Sequence, residues 1–161
     1  MVAVWLMNDD HWAYDRLWRA GVGAFQMRGE NDMKRAGVVL RVASQHTVAE
    51  TMERLESILR ARGVAVFARI DFSGDAQRAG LAMRPEQLLI FGNPKGGTPL
   101  MVAEPAAGLD LPFKVLAWED AEGRTWLAYN TPEYIIARHG LDPAFAKNLA
   151  ALIPLIEQVA G

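Results

Sequence analysis

The chain has 161 residues, enough for one domain with its own hydrophobic core, so stability requires neither disulfides nor a structural metal. The absence of cysteine excludes disulfides, thiol catalysis and thiolate metal sites. The formal net charge of -2, with basic residues spread among acidic ones, provides no basic patch, so no nucleic-acid partner is predicted.

Residues 1–32 differ in composition from the remainder of the chain. They hold three of the five tryptophans and show no regular apolar period. The chain carries neither a secretory signal nor an apolar run of about eighteen residues, so we expect a cytoplasmic protein without a membrane partner. The codons for residues 28–32 can resemble a ribosome-binding site placed before Met33. We therefore predict that residues 1–32 form a leader of uncertain order and that residues 33–161 form a single domain. In one interpretation, Met33 is the natural start and the leader is translated upstream sequence.

The first part of this domain predicts a strand, a long helix and a second strand. Apolar alternation indicates a strand over Val38–Val42. Thr47 and Glu50 have the spacing of a capping box, which starts an amphipathic helix that ends at Arg62. The run over residues 64–72 is apolar and β-branched, which predicts a strand at or near the centre of the sheet.

The stretch 87–101, QLLIFGNPKGGTPLM, joins a buried strand to the start of a helix. We predict a strand over Gln87–Phe91, then a glycine loop, then a short helix capped by Thr98 with Pro99 in its first turn. Backbone amides at such a helix start, with a lysine beside them, would bind a carboxylate or phosphate. The alternative is a loop whose glycines only permit a sharp turn. The candidate ligand contacts here are Asn93, Lys95, Gly96, Gly97 and Thr98.

The last part of the chain predicts a hairpin followed by helices. Strands are expected over Phe113–Glu119 and Arg124–Tyr129, and residues 120–123 form the turn between them. A short helix follows from Thr131, and a last helix begins at Asp142 and is kinked or divided by a proline. The fold class is α+β: one curved, mainly antiparallel sheet with the two longer helices on one face, because each of these helices has a single apolar stripe.

Four ordered motifs resemble the domain of unknown function 302 family of small bacterial and archaeal proteins. They are VAVFARIDFSGDA (64–76), QLLIFGNPKGGTPLM (87–101), LDLPFKVLAWEDAEGRTWLAYNTPEY (109–134) and ARHGL (137–141). The resemblance runs from about Val38 to the end of the chain. It implies a fold of the TATA-box-binding-protein-like class, a homodimer and no assigned activity, and the fold name implies no DNA binding. The family commonly has a histidine where this chain has Phe72, so any metal or proton-transfer role of that histidine would be lost here.

Candidate catalytic and metal-binding residues are few. Asp71 ends an apolar strand, where partial desolvation would raise its pKa and suit it to general acid or base catalysis. The alternative is that its side chain caps the following turn. The three histidines, His11, His46 and His139, lack ligand spacing, so neither a metal nor a cofactor is predicted.

Aromatic residues of the predicted hairpin suggest walls for a small-ligand cavity, and the alternative, which the residue types favour, is plain core packing. These residues are Trp118, Trp126 and Tyr129. The leading hypothesis is a soluble, homodimeric binding or accessory domain. It would hold a small, partly apolar ligand, anionic in one version, beside the loop 93–98, with Arg84 or Lys95 as the polar contact. The alternatives are an enzyme that uses Asp71 as general acid or base, and a structural dimerisation module whose interface is the exposed face of the sheet.

Overall fold

The computed structural model describes residues 40–161, in which five strands form a single antiparallel sheet. The strands are β1 (Leu40–Ser44), β2 (Ala65–Asp71), β3 (Glu86–Gly92), β4 (Phe113–Glu119) and β5 (Thr125–Tyr129). Their order across the sheet is β1-β5-β4-β3-β2, and every neighbouring pair is antiparallel. The predicted α+β fold with an antiparallel sheet is confirmed. Residues 1–39, which include the predicted leader, lie outside the described residues.

Helices connect the strands and cover one side of the sheet. They are α1 (Val48–Ala61), α2 (Phe72–Arg78), α3 (Pro94–Ala103), α4 (Pro132–Arg138), α5 (Lys147–Ala150) and α6 (Ile153–Ala160), with 3-10 turns at Pro105–Leu109 and Pro143–Ala146. The predicted last helix is thus divided into a 3-10 turn and two short helices. Pro154 lies in the first turn of α6, where its missing N–H is not needed.

The capping box of α1 is present as predicted. The Thr47 hydroxyl accepts the Glu50 N–H at 3.3 Å, and the Thr47 N–H donates to the Glu50 carboxylate at 3.0 Å. The apolar stripe of this helix, which includes Met52, Leu55 and Leu59, is fully buried against the sheet and α6. Gly63, with φ of 69°, closes the helix and turns the chain into β2.

The two faces of the sheet differ in burial. Strand alternation places Leu89, Phe91, Phe113, Val115 and Leu127 on the face covered by helices, where each is almost completely buried. The other face, which we call the open face, carries large apolar side chains that remain partly exposed. Cross-strand pairing places together on it Ile70, Leu88, Ile90, Leu116, Trp118 and Trp126.

The central position predicted for the second strand is wrong, because β2 is an edge strand that pairs only with β3. The sequence run is apolar enough for a central strand, but Phe67, Arg69 and Asp71 are exposed on one side of it. Polar residues at alternate positions suit an edge strand that meets solvent.

Candidate functional site

A cavity of about 570 Å³ lies at one end of the sheet, where β3 ends and β4 begins. Its walls come from the end of α1, from β2, from the start of α3 and from helices α5 and α6. Elements that are far apart in the sequence therefore meet around this cavity.

The walls of the cavity are mainly apolar, with a few polar groups. The large apolar side chains are Val64, Phe67, Met101, Leu111, Phe113, Leu149, Leu152 and Leu155. The polar side chains are Arg62, Asn93, Thr98 and Asn148. Within residues 40–161, no aspartate or glutamate lines the cavity.

Among the described residues that line the cavity, Arg62 is the only one with a charged side chain. It is the C-cap residue of α1, and its backbone N–H donates to the carbonyls of Ile58 and Leu59 at 3.1 Å. The closing turn of the helix therefore fixes its position. Within residues 40–161, no acidic side chain pairs with its guanidinium group, which is free to bind an anionic group in the cavity.

The segment after β3 forms a helix start, but not at the predicted residue. Asn93 is the N-cap of α3: its side-chain oxygen accepts the Lys95 N–H at 2.9 Å. Its carbonyl oxygen accepts the N–H groups of Gly96 and Gly97 at 2.9 and 3.0 Å. The prediction that Thr98 caps this helix is wrong, because the Asn-Pro pair directly after the strand is itself a cap followed by a proline at the first helical position.

This earlier start removes the anion site that we predicted from backbone amides. The amides of Lys95, Gly96 and Gly97 already donate to Asn93, so they do not point to a ligand. The side chains of Asn93 and Thr98 do line the cavity, and so do both glycines. The predicted loop thus lies at the cavity, but it contributes side chains and a packed helix turn instead of free donors.

Gly96 allows α3 to approach α5 closely. A Cβ atom at this position would lie 2.7 Å from the carbonyl oxygen of Asn148, well inside van der Waals contact. At Gly97 the nearest atoms to a Cβ would be side-chain carbons of Leu111 and Met101 at 3.9 Å, an ordinary contact. Only the first of the two glycines is therefore required by packing.

Phe67 reaches the cavity because of an irregularity in β2. The register between β2 and β3 shifts between Val66 and Ala68, which is the signature of a β-bulge. The bulge redirects the intervening Phe67, whose side chain lines the cavity and is 56% exposed. Sequence reasoning missed Phe67, Arg62 and Asn148, since strand pattern and helix capping give no signal for a bulge or for which helix ends line the same cavity.

The structure does not bring the predicted aromatic walls to this cavity. Trp118 and Trp126 lie on the open face, where Arg41 stacks over Trp118 with its guanidinium carbon 5.6 Å from the ring centroid. The Trp126 indole N–H donates to the Asp120 carboxylate at 2.7 Å. Tyr129 is in the core, with its ring 6.0 Å from that of Phe113. Burial raises the pKa of Tyr129 to about 12.

The two predicted cationic contacts are also elsewhere. Lys95 is exposed in the first turn of α3 but is not among the lining residues. Arg84 lies in the connection before β3, at the opposite end of that strand from the cavity. Arg62 lines the cavity instead, so it replaces Lys95 and Arg84 as the candidate cationic contact.

Asp71 caps α2 through its side chain, which confirms the structural alternative. One carboxylate oxygen accepts the Ser73 hydroxyl at 2.7 Å and the Gly74 N–H at 2.9 Å. These two hydrogen bonds lower the pKa of Asp71. The expectation of a raised pKa is therefore wrong, because the side chain is exposed and its charged form is the one that accepts hydrogen bonds. It also lies at the end of β2 away from the cavity.

The histidines within residues 40–161 lie apart. The imidazole of His139 is 2.7 Å from the Asp110 carboxylate, which also accepts from Arg138 at 3.4 Å. His46 precedes α1, whereas His139 follows α4. Four of the five strands lie between these two histidines in the sequence. No group of three potential metal ligands occurs in this part of the chain. None of its helices is long and apolar enough to cross a bilayer.

A family comparison agrees with this architecture. The family model described as Domain of unknown function DUF302 matches residues 40–159, which is nearly the whole of the described sheet and its helices. The chain belongs to this family. A solved DUF302 structure, the uncharacterized conserved protein DUF302 from Bacillus stearothermophilus, has a TM-score of 0.64 to this chain at 22% identity. The likeness covers 76% of this chain and 95% of that one, and it shows a shared fold.

Similar sequences also occur within longer proteins. A protein from Brucella suis biovar 1 named Fluoride-specific ion channel FluC 1 is 46% identical over 103 residues. A protein of Brucella melitensis biotype 1 named Fluoride-specific ion channel FluC 2 has the same identity over the same length. The match covers 64% of this chain but only 41% and 38% of those two proteins, so the chain spans less than half of the curated relatives it matches.

Proposed function

We propose that this DUF302 domain is a cytoplasmic binding domain that holds a small, partly apolar anion in the cavity between α1, α3 and α5. The observation that carries the proposal is a mainly apolar cavity whose lining residues include Arg62, an arginine without a salt bridge within residues 40–161. Apolar walls favour a hydrocarbon or aromatic body, and Arg62 favours a carboxylate, sulfonate or phosphate at one end.

The size of the cavity supports a small organic ligand. Sites for small molecules have volumes of about 300–1,000 Å³, and this cavity of about 570 Å³ falls within that range. Asn93, Thr98 and Asn148 supply hydrogen-bonding groups that would orient the ligand. A bare halide ion is a poor candidate, because a mainly apolar wall does not replace the water that such an ion would lose.

The test uses 1-anilinonaphthalene-8-sulfonate, an aromatic anion whose fluorescence rises in apolar surroundings. We expect the native protein to bind it, and we expect Arg62→Leu to weaken binding about tenfold, because one charge-assisted contact is lost. The matched control is Arg54→Leu, which removes the same charge from α1 at a residue that does not line the cavity.

Two results would contradict the proposal. One is a native protein without a saturable fluorescence change. The other is an equal loss of affinity in the Arg62 and Arg54 variants, which would show that the probe responds only to net charge. Ala151→Trp places a large ring from an exposed position into the cavity wall, and it should reduce the number of bound probe molecules.

We also propose that the domain acts as an accessory module of a membrane ion channel. Support comes from relatives that carry a 46% identical segment and are named fluoride-specific ion channels. A cavity suited to an organic anion would then serve regulation, and ion conduction would belong to the remainder of those longer proteins.

A second candidate role is homodimerisation through the open face of the sheet. This face exposes parts of several large apolar side chains from adjacent strands, among them Leu88, Leu116 and Trp118. A contiguous apolar surface of this kind is typical of an interface. The proposal agrees with the dimer implied by the family resemblance, and it places the interface on the side of the sheet opposite to the helices.

A further inference from the structure

Four exposed apolar side chains lie at, or directly follow, residues at the cavity. We call this set the rim, and it consists of Phe67, Met101, Val102 and Leu109, with exposed fractions of 56%, 37%, 77% and 74%. Phe67 and Met101 line the cavity, Val102 follows Met101 in α3, and Leu109 follows Gly108, which packs beside Met101. Apolar residues with such exposure are common singly, but a group of four marks an interaction surface.

The rim is continuous because its members contact shared neighbours. Phe67 and Met101 both line the cavity. A Cβ atom at Gly108, the residue before Leu109, would lie 3.7 Å from the Met101 sulfur. On the other side, a Cβ atom at Gly92 would lie 3.6 Å from the Phe67 ring and 3.5 Å from Pro112.

Basic groups flank this apolar surface. Lys95 lies on the exposed side of α3 that also carries Thr98 and Val102, since these positions are separated by three and four residues. Arg62 lines the cavity itself, and the Lys114 amine lies 3.3 Å from the Leu109 carbonyl oxygen. Within residues 40–161, none of these three cations forms a salt bridge.

The nearest acidic side chains are engaged in structural contacts. Asp110 accepts hydrogen bonds from His139 and Arg138. Glu104 accepts the Ala106 N–H at 2.9 Å and caps the 3-10 turn that carries Leu109. Burial lowers the pKa of Lys114, and the Asp110 carboxylate opposes that effect, so this amine is not a free charge. Lys95 is exposed and has no salt bridge within residues 40–161, so the apolar surface lies beside a positive charge that complements an anionic lipid surface.

We propose that the rim docks onto a lipid bilayer that contains anionic phospholipids, with Lys95 and Arg62 facing the headgroups. The proposal goes beyond ligand binding and rests in part on the proposed association with a membrane channel. It departs from the sequence-based expectation of no membrane partner, because the rim is assembled from β2, α3 and a 3-10 turn. No single amphipathic helix in the sequence therefore indicates a membrane-binding surface.

The test is co-sedimentation of the full chain with vesicles of phosphatidylcholine alone, or of phosphatidylcholine mixed with phosphatidylglycerol. We expect binding to the mixed vesicles, and at least tenfold weaker binding by the double variant V102E/L109E, since two apolar contacts with the bilayer are lost and two negative charges are added. Lys95→Glu should weaken binding to the mixed vesicles about fivefold.

The chain offers a matched control at the opposite end of the sheet. Leu81 and Met83 precede β3 and are 67% and 44% exposed, so L81E/M83E introduces the same charges into other exposed apolar positions. We expect this variant to bind vesicles as the native protein does. All the changed residues are exposed, and circular dichroism confirms that each variant is folded before it is compared.

Three results would overturn the docking proposal. They are a native protein that does not sediment with mixed vesicles, an equal loss in L81E/M83E, and a native dimer that V102E/L109E converts to a monomer. The last result would make the rim a contact between copies. Failure of ligand binding is a separate outcome, because the anilinonaphthalene probe is measured without vesicles and V102E/L109E leaves the cavity residues in place.

Discussion

Gly96 shows how a single missing side chain sets the geometry of the candidate site. The glycine lets the backbone of α3 touch that of α5, and both helices contribute to the cavity wall. Asn148 takes part in the same contact through its carbonyl oxygen. Ligand binding and helix packing therefore share residues here, and a change that separates the helices would also deform the site.

Gly96→Ala should destabilise the domain by about 1–3 kcal/mol, because the new methyl group must displace the Asn148 backbone. Gly97→Ala is the matched control one residue further along the same helix. It should be neutral or stabilising by up to about 1 kcal/mol, since alanine favours the helix and its Cβ meets no atom closer than 3.9 Å. Urea denaturation of both variants measures the difference, and equal stabilities would contradict the close approach.

Among individual residues, the sequence was informative about local roles and uninformative about distant ones. The cap at Asp71 and the capping box of Thr47 and Glu50 are local patterns, and both are present. Arg62 was visible only as the end of a helix. Its place in the cavity depends on how α1, α3 and α5 meet, and this information is spread over the whole core.

At the scale of single elements, the start of α3 decides what the glycine segment can do. Two pairs of a capping residue followed by proline could start this helix. They are Asn93 with Pro94 and Thr98 with Pro99. Either pair satisfies the local rule. The earlier one prevails in the structure, and the extra turn that it adds to the helix places Gly96 against α5.

Asn93→Ala should therefore reduce the free energy of unfolding by about 1 kcal/mol, the usual effect of losing an N-cap side chain. Thr98→Ala should leave it within about 0.5 kcal/mol of the native value, because an exposed residue inside the helix contributes little. Thermal or urea unfolding of the two variants distinguishes the two helix starts. The reverse order of effects would restore the cap at Thr98.

The edge strand β2 carries the other feature that patterns in the sequence did not reveal. The alternation of apolar and polar residues predicted this strand. The bulge between Val66 and Ala68 was not predictable, since one extra residue in a strand has no characteristic residue type here. The bulge is what brings Phe67 to the cavity mouth. Strand existence was thus predictable from residue types, whereas strand position and local register depended on pairing with β3.

At the scale of the whole molecule, the sheet divides the domain into two functional sides. The helices and the cavity lie on the covered side and at one end, and the open face carries partly exposed apolar side chains. The fold class was predictable because each long helix has one apolar stripe. The separation of the tryptophans from the cavity was not, because it depends on which face of β4 and β5 the helices cover.

Leu116→Glu tests the open face, since this side chain lies near its middle, between Leu88 and Ala128 on the neighbouring strands. If the native protein is a dimer by light scattering, the variant should be a folded monomer, because a buried carboxylate without a partner costs several kcal/mol per interface. Val102→Glu is the control with an exposed apolar residue elsewhere, and it should remain dimeric. A native monomer at micromolar concentration would contradict the proposed dimer.

The backbone N–H of Gln45, just after β1, donates to the carbonyl of Ala160 at the end of α6 with a length of 3.2 Å. A backbone hydrogen bond therefore connects the end of the first strand to the end of the last helix of the described body. Gln45 follows the last residue of β1, so this hydrogen bond holds the exit of that strand, and not its start at Leu40, beside the end of α6. Release of α6 from the body would therefore break a main-chain hydrogen bond to the first strand as well as side-chain packing.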